Sequence, residues 1–414
     1  MKKLSRRDFV KKTGIFLGST ALGGFPSIVK ASNKPVRIGV IFPFSGAAAK
    51  TGDDMWRGLI IAVEEINNAG GIRSLDGSKI ELIKADHEGK PERGIIEVEK
   101  LIGKDVAIIL GDLQSSVIFP LSEVTEKHKV PLLVSSAAAD KITERGFKYL
   151  FRTSVLSSGY AEARARAAQE AGEKAKNKMQ TLAFLYENTL WGQTLSQGDR
   201  EWASKMGIKI IADIPYSAST TDLSGEITKI KASGAQGIFT VGYMQDSILA
   251  TKTMYELDYN PIIDIDGGVG RNHPNYIESL GNMASFGATI AVWNDDLKIK
   301  GCNETGEKYN KRFNQQMASY PAEYWVAAHI VKDVLERAGS RDHEKIRKAF
   351  TETNMNPGEK GNIFPFRIKF EENGQVKNHA IIAQYIDKRL CTVWPTEYAS
   401  KNIVYPKPRW KSFM

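Results

Sequence analysis

Hydroxyl side chains beside free backbone amides at a helix start can hold an anion, and this chain has one stretch of that make-up. Gly111-Asp112-Leu113-Gln114-Ser115-Ser116 follows a short apolar run and leads into a segment of helical period. The chemistry offered there is hydrogen bonding to a carboxylate through Ser115 and Ser116; the same residues also serve as a plain helix cap. Farther on, Ser135-Ser136-Ala137-Ala138-Ala139-Asp140 forms a loop of small residues. Such a loop lets a ligand come close to the backbone, and a tight connection between elements would have the same composition.

Catalytic groupings are missing from the sequence. It contains no GxSxG elbow, no HExxH, no GxxxxGK[ST] and no GxGxxG after the first apolar run. The six histidines, His87, His128, His273, His329, His343 and His379, stand singly, and none has metal-ligand spacing. Asp86, His87 and Glu88 are consecutive, but neighbours on a strand face opposite ways, so they do not build one site. With only Cys302 and Cys391 there is neither a disulfide framework nor a CxxC site; one bridge or two reduced thiols both remain open. No cofactor is expected.

The elements that must carry these loops alternate. Short runs rich in Val and Ile, at 36–42, 80–85, 106–110, 131–135, 181–186, 208–213, 237–241, 262–265, 288–292, 366–370 and 380–385, read as strands. Longer stretches between them have helical period: Trp56, Leu59, Ile60, Val63 and Ile66 mark one face, and Ile95, Val98, Leu101 and Ile102 another. Alternation of this kind predicts a parallel sheet with helices on both faces, where ligands bind beyond the carboxyl ends of the strands. The helical region at 160–175 and a second break near 287–296 are the expected passages between two lobes. Two long helices are expected at 304–317 and 321–338, and the proline-rich end at 395–410 reads as an extended surface strap.

The amino terminus carries an address. Ser5-Arg6-Arg7-Asp8-Phe9-Val10-Lys11 precedes a mild apolar stretch at 14–25, and Val29-Lys30-Ala31 offers a small residue for cleavage. Together they predict a twin-arginine export signal over 1–31. The apolar stretch is shorter than the about 20 residues of a membrane span, and no cysteine near Ala31 could take a lipid. A periplasmic protein without a membrane anchor is therefore expected. The signal also explains the charge: the whole chain is +9, but 1–31 holds seven Lys or Arg against one acid, leaving +3. No phosphate-tracking patch is left, which argues against nucleic acid as a partner.

Several short motifs, in order and spacing, resemble the leucine/isoleucine/valine-binding protein family, the type I periplasmic solute-binding proteins of ABC importers. They are Val36-Arg37-Ile38-Gly39-Val40 with Phe44-Ser45-Gly46, Gly52 and Gly58, then Glu65-Ile66-Asn67 through Gly70-Gly71-Ile72, and the 111–116 loop. Further on come Phe151-Arg152-Thr153, Tyr186, Trp191-Gly192 and Thr392-Val393-Trp394-Pro395. The resemblance implies two doubly wound lobes joined by three crossings: lobe 1 from 36–155 plus 290–380, and lobe 2 from 156–289 plus 381–414. It implies a monomer without enzymatic activity that closes on a small carboxylate-bearing solute, of branched-chain amino-acid type or a related organic or aromatic acid. Delivery to ABC permease subunits in the inner membrane follows. By the resemblance, Ser115 and Ser116 hold the carboxylate, Ser136, Ala137 and Ala138 line the same lobe, Trp191 and Tyr243 form aromatic walls, and Thr51 lies at the mouth. Two positions depart from the amino-acid binders: Ala138 replaces a threonine, and Gly267 replaces the glutamate that pairs with the ligand ammonium. Asp266 or Asp264 is the nearest substitute. An exported sensory module and, less compatibly, an exported enzyme are the other readings of the same sequence.

Overall fold

The computed structural model describes residues 34–414, so the expected export signal and its cleavage point lie outside the described residues. Two sheets organise the rest. The first holds β1 (Val36–Phe42), β2 (Ile80–Asp86), β3 (Ile108–Gly111), β4 (Leu132–Val134) and β5 (Leu150–Arg152), all parallel, in the order β2-β1-β3-β4-β5. The second holds β6 (Thr181–Glu187), β7 (Lys209–Tyr216), β8 (Gly237–Val241), β9 (Ile263–Asp266), β10 (Ala288–Ala291), β11 (Ile381–Ile386) and β12 (Arg389–Trp394), in the order β12-β11-β10-β9-β8-β6-β7. Five of its strands, β7-β6-β8-β9-β10, repeat the winding of the first sheet. β11 and β12 then extend it antiparallel.

Helices α1 (Ala49–Asn68), α2 (Pro91–Ile102) and α3 (Ser115–Lys127) belong to the first winding. The second has α4 (Ser157–Lys174), α5 (Leu190–Lys205), α6 (Ser224–Ser233), α7 (Met244–Glu256) and α8 (Pro274–Leu280). After β10 the chain returns to the first sheet as α9 (Cys302–Phe313), α10 (Ser319–Ala338) and α11 (His343–Thr351), with α10 packed along α1. It then goes back to enter β11. The chain therefore passes between the sheets three times.

The local causes are those of the sequence pattern. All but one residue of β1 is buried, as a strand covered on both faces requires. In α1 the buried stripe runs through Met55, Leu59, Ala62, Val63 and Ile66, and the helix stops where Gly70 and Gly71 take positive φ. Gly58 lets α10 approach α1 at backbone distance, because a β-carbon there would stand 2.0 Å from the Pro321 carbonyl oxygen. Buried side chains from both sheets and from α10 join in one apolar cluster, with Phe42, Phe184, Phe239 and Tyr324 among its largest members.

Some expectations are corrected. Residues 366–370 have the alternation of a strand, with Phe366, Ile368 and Phe370 buried, but make only isolated bridges, Met355 to Ile368 and Phe370 to Val376. β5 and β12 were not expected at all. The carboxyl-terminal strap runs over the surface as expected and is pinned at its end, where buried Trp410 donates its indole N–H to the Tyr259 carbonyl at 3.0 Å. Cys302 and Cys391 are both free and buried.

Candidate functional site

The carboxyl ends of β3, β4, β6, β9 and β10 all lead to one small cavity between the two sheets, Ile290 and Ala291 of β10 lining it directly. Leu113, Ser136 and Ala138 line it from the first sheet, and Trp191, Gly267, Gly268, Val269 and Asn272 from the second. Tyr160 of α4 and Ser319, Tyr320 and Glu323 of α10 complete the wall. The remaining space is about 20 Å³, room for one water. Anything larger must push the walls apart. A wider groove of about 760 Å³ runs between α4, α5 and the 371–378 segment. It is lined by Glu162, Glu201, Lys205, Glu371, Glu372 and Lys377, a mixed-charge surface, with Val155 and Leu156 just past β5.

The first-sheet loops are held by a buried polar frame. His87 accepts from the Gly89 N–H through Nδ1 at 3.0 Å, so its Nε2 carries the proton that goes to Asp112. Asp112 in turn accepts from the Gln114 N–H at 2.9 Å, and its carbonyl from the Ala137 N–H at 3.0 Å. Ser115 is fully buried and its hydroxyl accepts from the Ala139 N–H at 3.2 Å. Its side chain thus braces the 137–139 loop and does not line the cavity. Ser116 is half-buried on the first turn of α3 and likewise lies outside the lining. In the next loop the side chains alternate: Ala138 faces the cavity, whereas Ala137 packs into the core between the first sheet and its helices. The Ser136 carbonyl is taken by the Ser154 hydroxyl at 3.0 Å.

On the second sheet, Glu187 at the end of β6 accepts from the Thr189 and Gly192 amides, both at 2.8 Å, which fixes the start of α5 and with it Trp191. The Trp191 ring lies 5.3 Å from that of Tyr243, the residue preceding α7. Burial holds the Tyr243 phenol well above its ordinary range. Tyr243 thus backs Trp191 without itself lining the cavity, and Thr51, buried in α1, is also outside the lining.

Asp266 is placed differently from the sequence expectation. Its carboxylate accepts from the Ser247 hydroxyl at 2.8 Å, the Gly268 N–H at 2.9 Å, the Thr240 and Thr289 hydroxyls at 3.4 Å and the Arg271 N–H at 3.5 Å. It is buried behind the lining and fully engaged. Asp264 is no freer, since Arg271 clamps both its oxygens at 2.7 and 2.9 Å and Lys407 stands 3.8 Å away. Gly267 has little room for a larger residue, because a β-carbon would lie 3.1 to 3.3 Å from Val241, Leu195 and the Thr240 carbonyl.

The group that sequence reasoning missed is Glu323. It is buried in the cavity wall, where the Ser319 hydroxyl donates to Oε1 at 2.9 Å and the Ser136 hydroxyl to Oε2. Those two bonds do not offset its loss of water, and burial pushes its carboxyl up to about 8. Asn272 stands across the cavity with its amide N–H groups on the Gly268 and Ile290 carbonyls, while its buried Oδ1 has no partner. No three-residue grouping of His, Cys, Asp or Glu able to hold a metal occurs among the described residues.

Two doubly wound sheets, three crossings and a closed cavity at facing strand ends define a type I periplasmic binding fold. Residues 35–389 match the family model described as periplasmic binding protein, and the chain belongs to that family. A curated relative, Leu/Ile/Val-binding protein homolog 7 of Brucella abortus (strain 2308), is 26% identical over 90% of this chain and 94% of its own. Leu/Ile/Val-binding protein homolog 8 of Brucella suis biovar 1 (strain 1330) is 25% identical over 98% of this chain and 100% of its own. Among solved structures, the branched-chain amino acid transporter substrate binding protein LivJ from Streptococcus pneumoniae, in complex with isoleucine, superposes with a TM-score of 0.76 at 20% identity, covering 90% of this chain and all of that one. An ABC transporter solute binding protein from R. palustris in complex with benzoate gives 0.75 at 16% identity, covering 90% and 98%. No helix among the described residues is long and apolar enough to cross a membrane.

Proposed function

We propose that this chain is the solute-binding subunit of an ABC importer, exported to the periplasm by the twin-arginine route. It captures a small carboxylate-bearing solute, an amino acid or a related organic or aromatic acid, and has no catalytic chemistry of its own. The observation that carries the reading is the cavity itself: strand-end loops of both sheets meet there around buried polar groups and an indole, as a two-sided grip on a small molecule requires. The lobes, 36–155 plus 290–380 and 156–289 plus 381–414, open and close about the three crossings, and an inner-membrane permease recognises the closed shape. The solute carboxylate takes the Ser115 and Ser116 amides at the first turn of α3 with the Ser116 hydroxyl beside them, a seat next to Leu113 of the cavity wall that is reached when the lobes part. Trp191, backed by Tyr243, forms the apolar wall.

Because a ligand that binds only the native state stabilises it, purified protein should melt at a higher temperature with its solute. A screen of amino acids, aromatic acids, amides and ureas is expected to contain at least one compound that shifts the transition in proportion to the logarithm of its concentration. A flat result across all four classes would overturn the reading.

A further inference from the structure

Resting on that solute-binding reading, we infer that Glu323 recognises a protonated amine on the solute, so that the cargo is an amine-bearing acid rather than a simple carboxylic acid. A carboxylate has about four acceptor positions, and Glu323 uses two, one on each oxygen, for Ser319 and Ser136. The unpartnered Oδ1 of Asn272 opens on the same cavity. No Lys, Arg or His lines that cavity to satisfy either acceptor. Ionised there, Glu323 would be a charge with only two neutral donors, so the empty site keeps it protonated, and a cation brought in by the ligand lets it ionise. An acid without an amine brings no such cation and leaves Glu323 holding its proton.

The surroundings leave no other candidate for that role. Tyr320 and Tyr324 of α10 and Tyr160 of α4 face Glu323, and Asp112 and Asp266 act on those phenols from the ends of β3 and β9. Arg152, which acts on Tyr160, is committed behind the 137–139 loop to the Ala137 and Ala139 carbonyls, Thr143 and Gln375. The position where relatives by resemblance carry the ammonium partner is Gly267, with little room for a larger side chain, and Asp266 is saturated. Glu323 comes instead from α10, on the other side of the cavity. The carboxyl is held protonated up to about 8 in the unliganded protein, so pairing with an ammonium must expel one proton.

The test compares each amino acid with its deaminated acid, for example leucine with 4-methylpentanoate and phenylalanine with 3-phenylpropionate, by calorimetry and melting shift on the purified protein. An amino acid is expected to bind at least 100-fold tighter than its deaminated partner, with affinity rising about tenfold per pH unit from 6 to 7.5 and one proton released. Glu323→Gln is expected to erase both the preference and the pH slope. Deaminated acids that bind as tightly as their amines, or a neutral amide or urea bound with no pH slope, would overturn the inference and leave the solute-binding reading standing. A panel that shifts nothing overturns both. The wild-type comparison and its pH slope need no variant, so an unfolded Glu323→Gln does not rescue the idea.

Discussion

Asp266 and Glu323 are both fully buried carboxyls at strand-end walls of the same molecule, and they do opposite things. Asp266 is surrounded by three hydroxyls and two backbone amides, with Arg271 also acting on it. Glu323 has two hydroxyls and open space. Burial raises the carboxyl in both cases, so burial alone does not separate a bracing group from a recognising one. What separates them is unused hydrogen-bonding capacity facing a cavity. The second-sheet wall is built on carboxyls whose partners all lie within the protein, and the α10 wall on a carboxyl that stays protonated with acceptor capacity left over.

The strongest way to break this contrast is to strip the second-sheet wall of its cation. Arg271→Met leaves Asp264 buried beside Lys407 alone and should cost about 3–5 kcal/mol of stability in chemical denaturation; a loss below about 1 kcal/mol would mean that this wall does not depend on the pair. Next, Asp266→Asn should cost about 1–3 kcal/mol, because with the amide oxygen kept on the two N–H groups its NH2 replaces the oxygen that accepts from the Ser247 and Thr240 hydroxyls. Glu323→Gln at pH 6 should cost no more than about 1 kcal/mol, less than Asp266→Asn, since the wild-type side chain is already neutral there and only one hydroxyl bond must reorient. Equal losses for the two would erase the distinction.

The smallest effect concerns pH. Glu323 keeps its proton to about 8 in the folded chain, against an ordinary 4.5, so between those values the native state holds one more proton than the unfolded one. Stability from this group is therefore greatest at low pH, falls as pH climbs from 4.5 to 8, and is level above. Asp54, pushed up to about 7, and Asp246, to about 6, slope the same way, whereas His273, pushed down to about 4, opposes them below 6.5. These three are common to wild type and Glu323→Gln and cancel in the difference. From pH 6 to 7 the unliganded wild type should lose about 1 kcal/mol more than the variant; parallel curves would show that Glu323 titrates normally.

Much of this was legible in the residues. Apolar runs and helical stripes located most of the strands and the long α10, because a sheet covered on both faces writes its strands as continuous hydrophobic runs. β5, three residues long, is too short to show a period, and β12 depends on a turn at Asp387 and Lys388 with positive φ, which lysine does not advertise. The 366–370 segment had the right alternation and lacked a neighbour to pair with, which a period cannot report. At the site, the loops at 111–116 and 135–140 were correctly located as strand exits, but which hydroxyl is spent on bracing depends on packing, as Ser115 shows. Glu323 looked like any acid in the first turn of a helix, where such residues usually face water and the helix dipole. Only the return of the chain to the first sheet after β10 buries it.

The backbone contact between Gly58 and Pro321 acts as a depth gauge. Residue 58 sits on a different helix from the carboxylate and outside the cavity lining, yet its missing side chain is what lets the beginning of α10, two residues before Glu323, settle against α1. A methyl group at position 58 therefore has no room unless the two helix backbones separate.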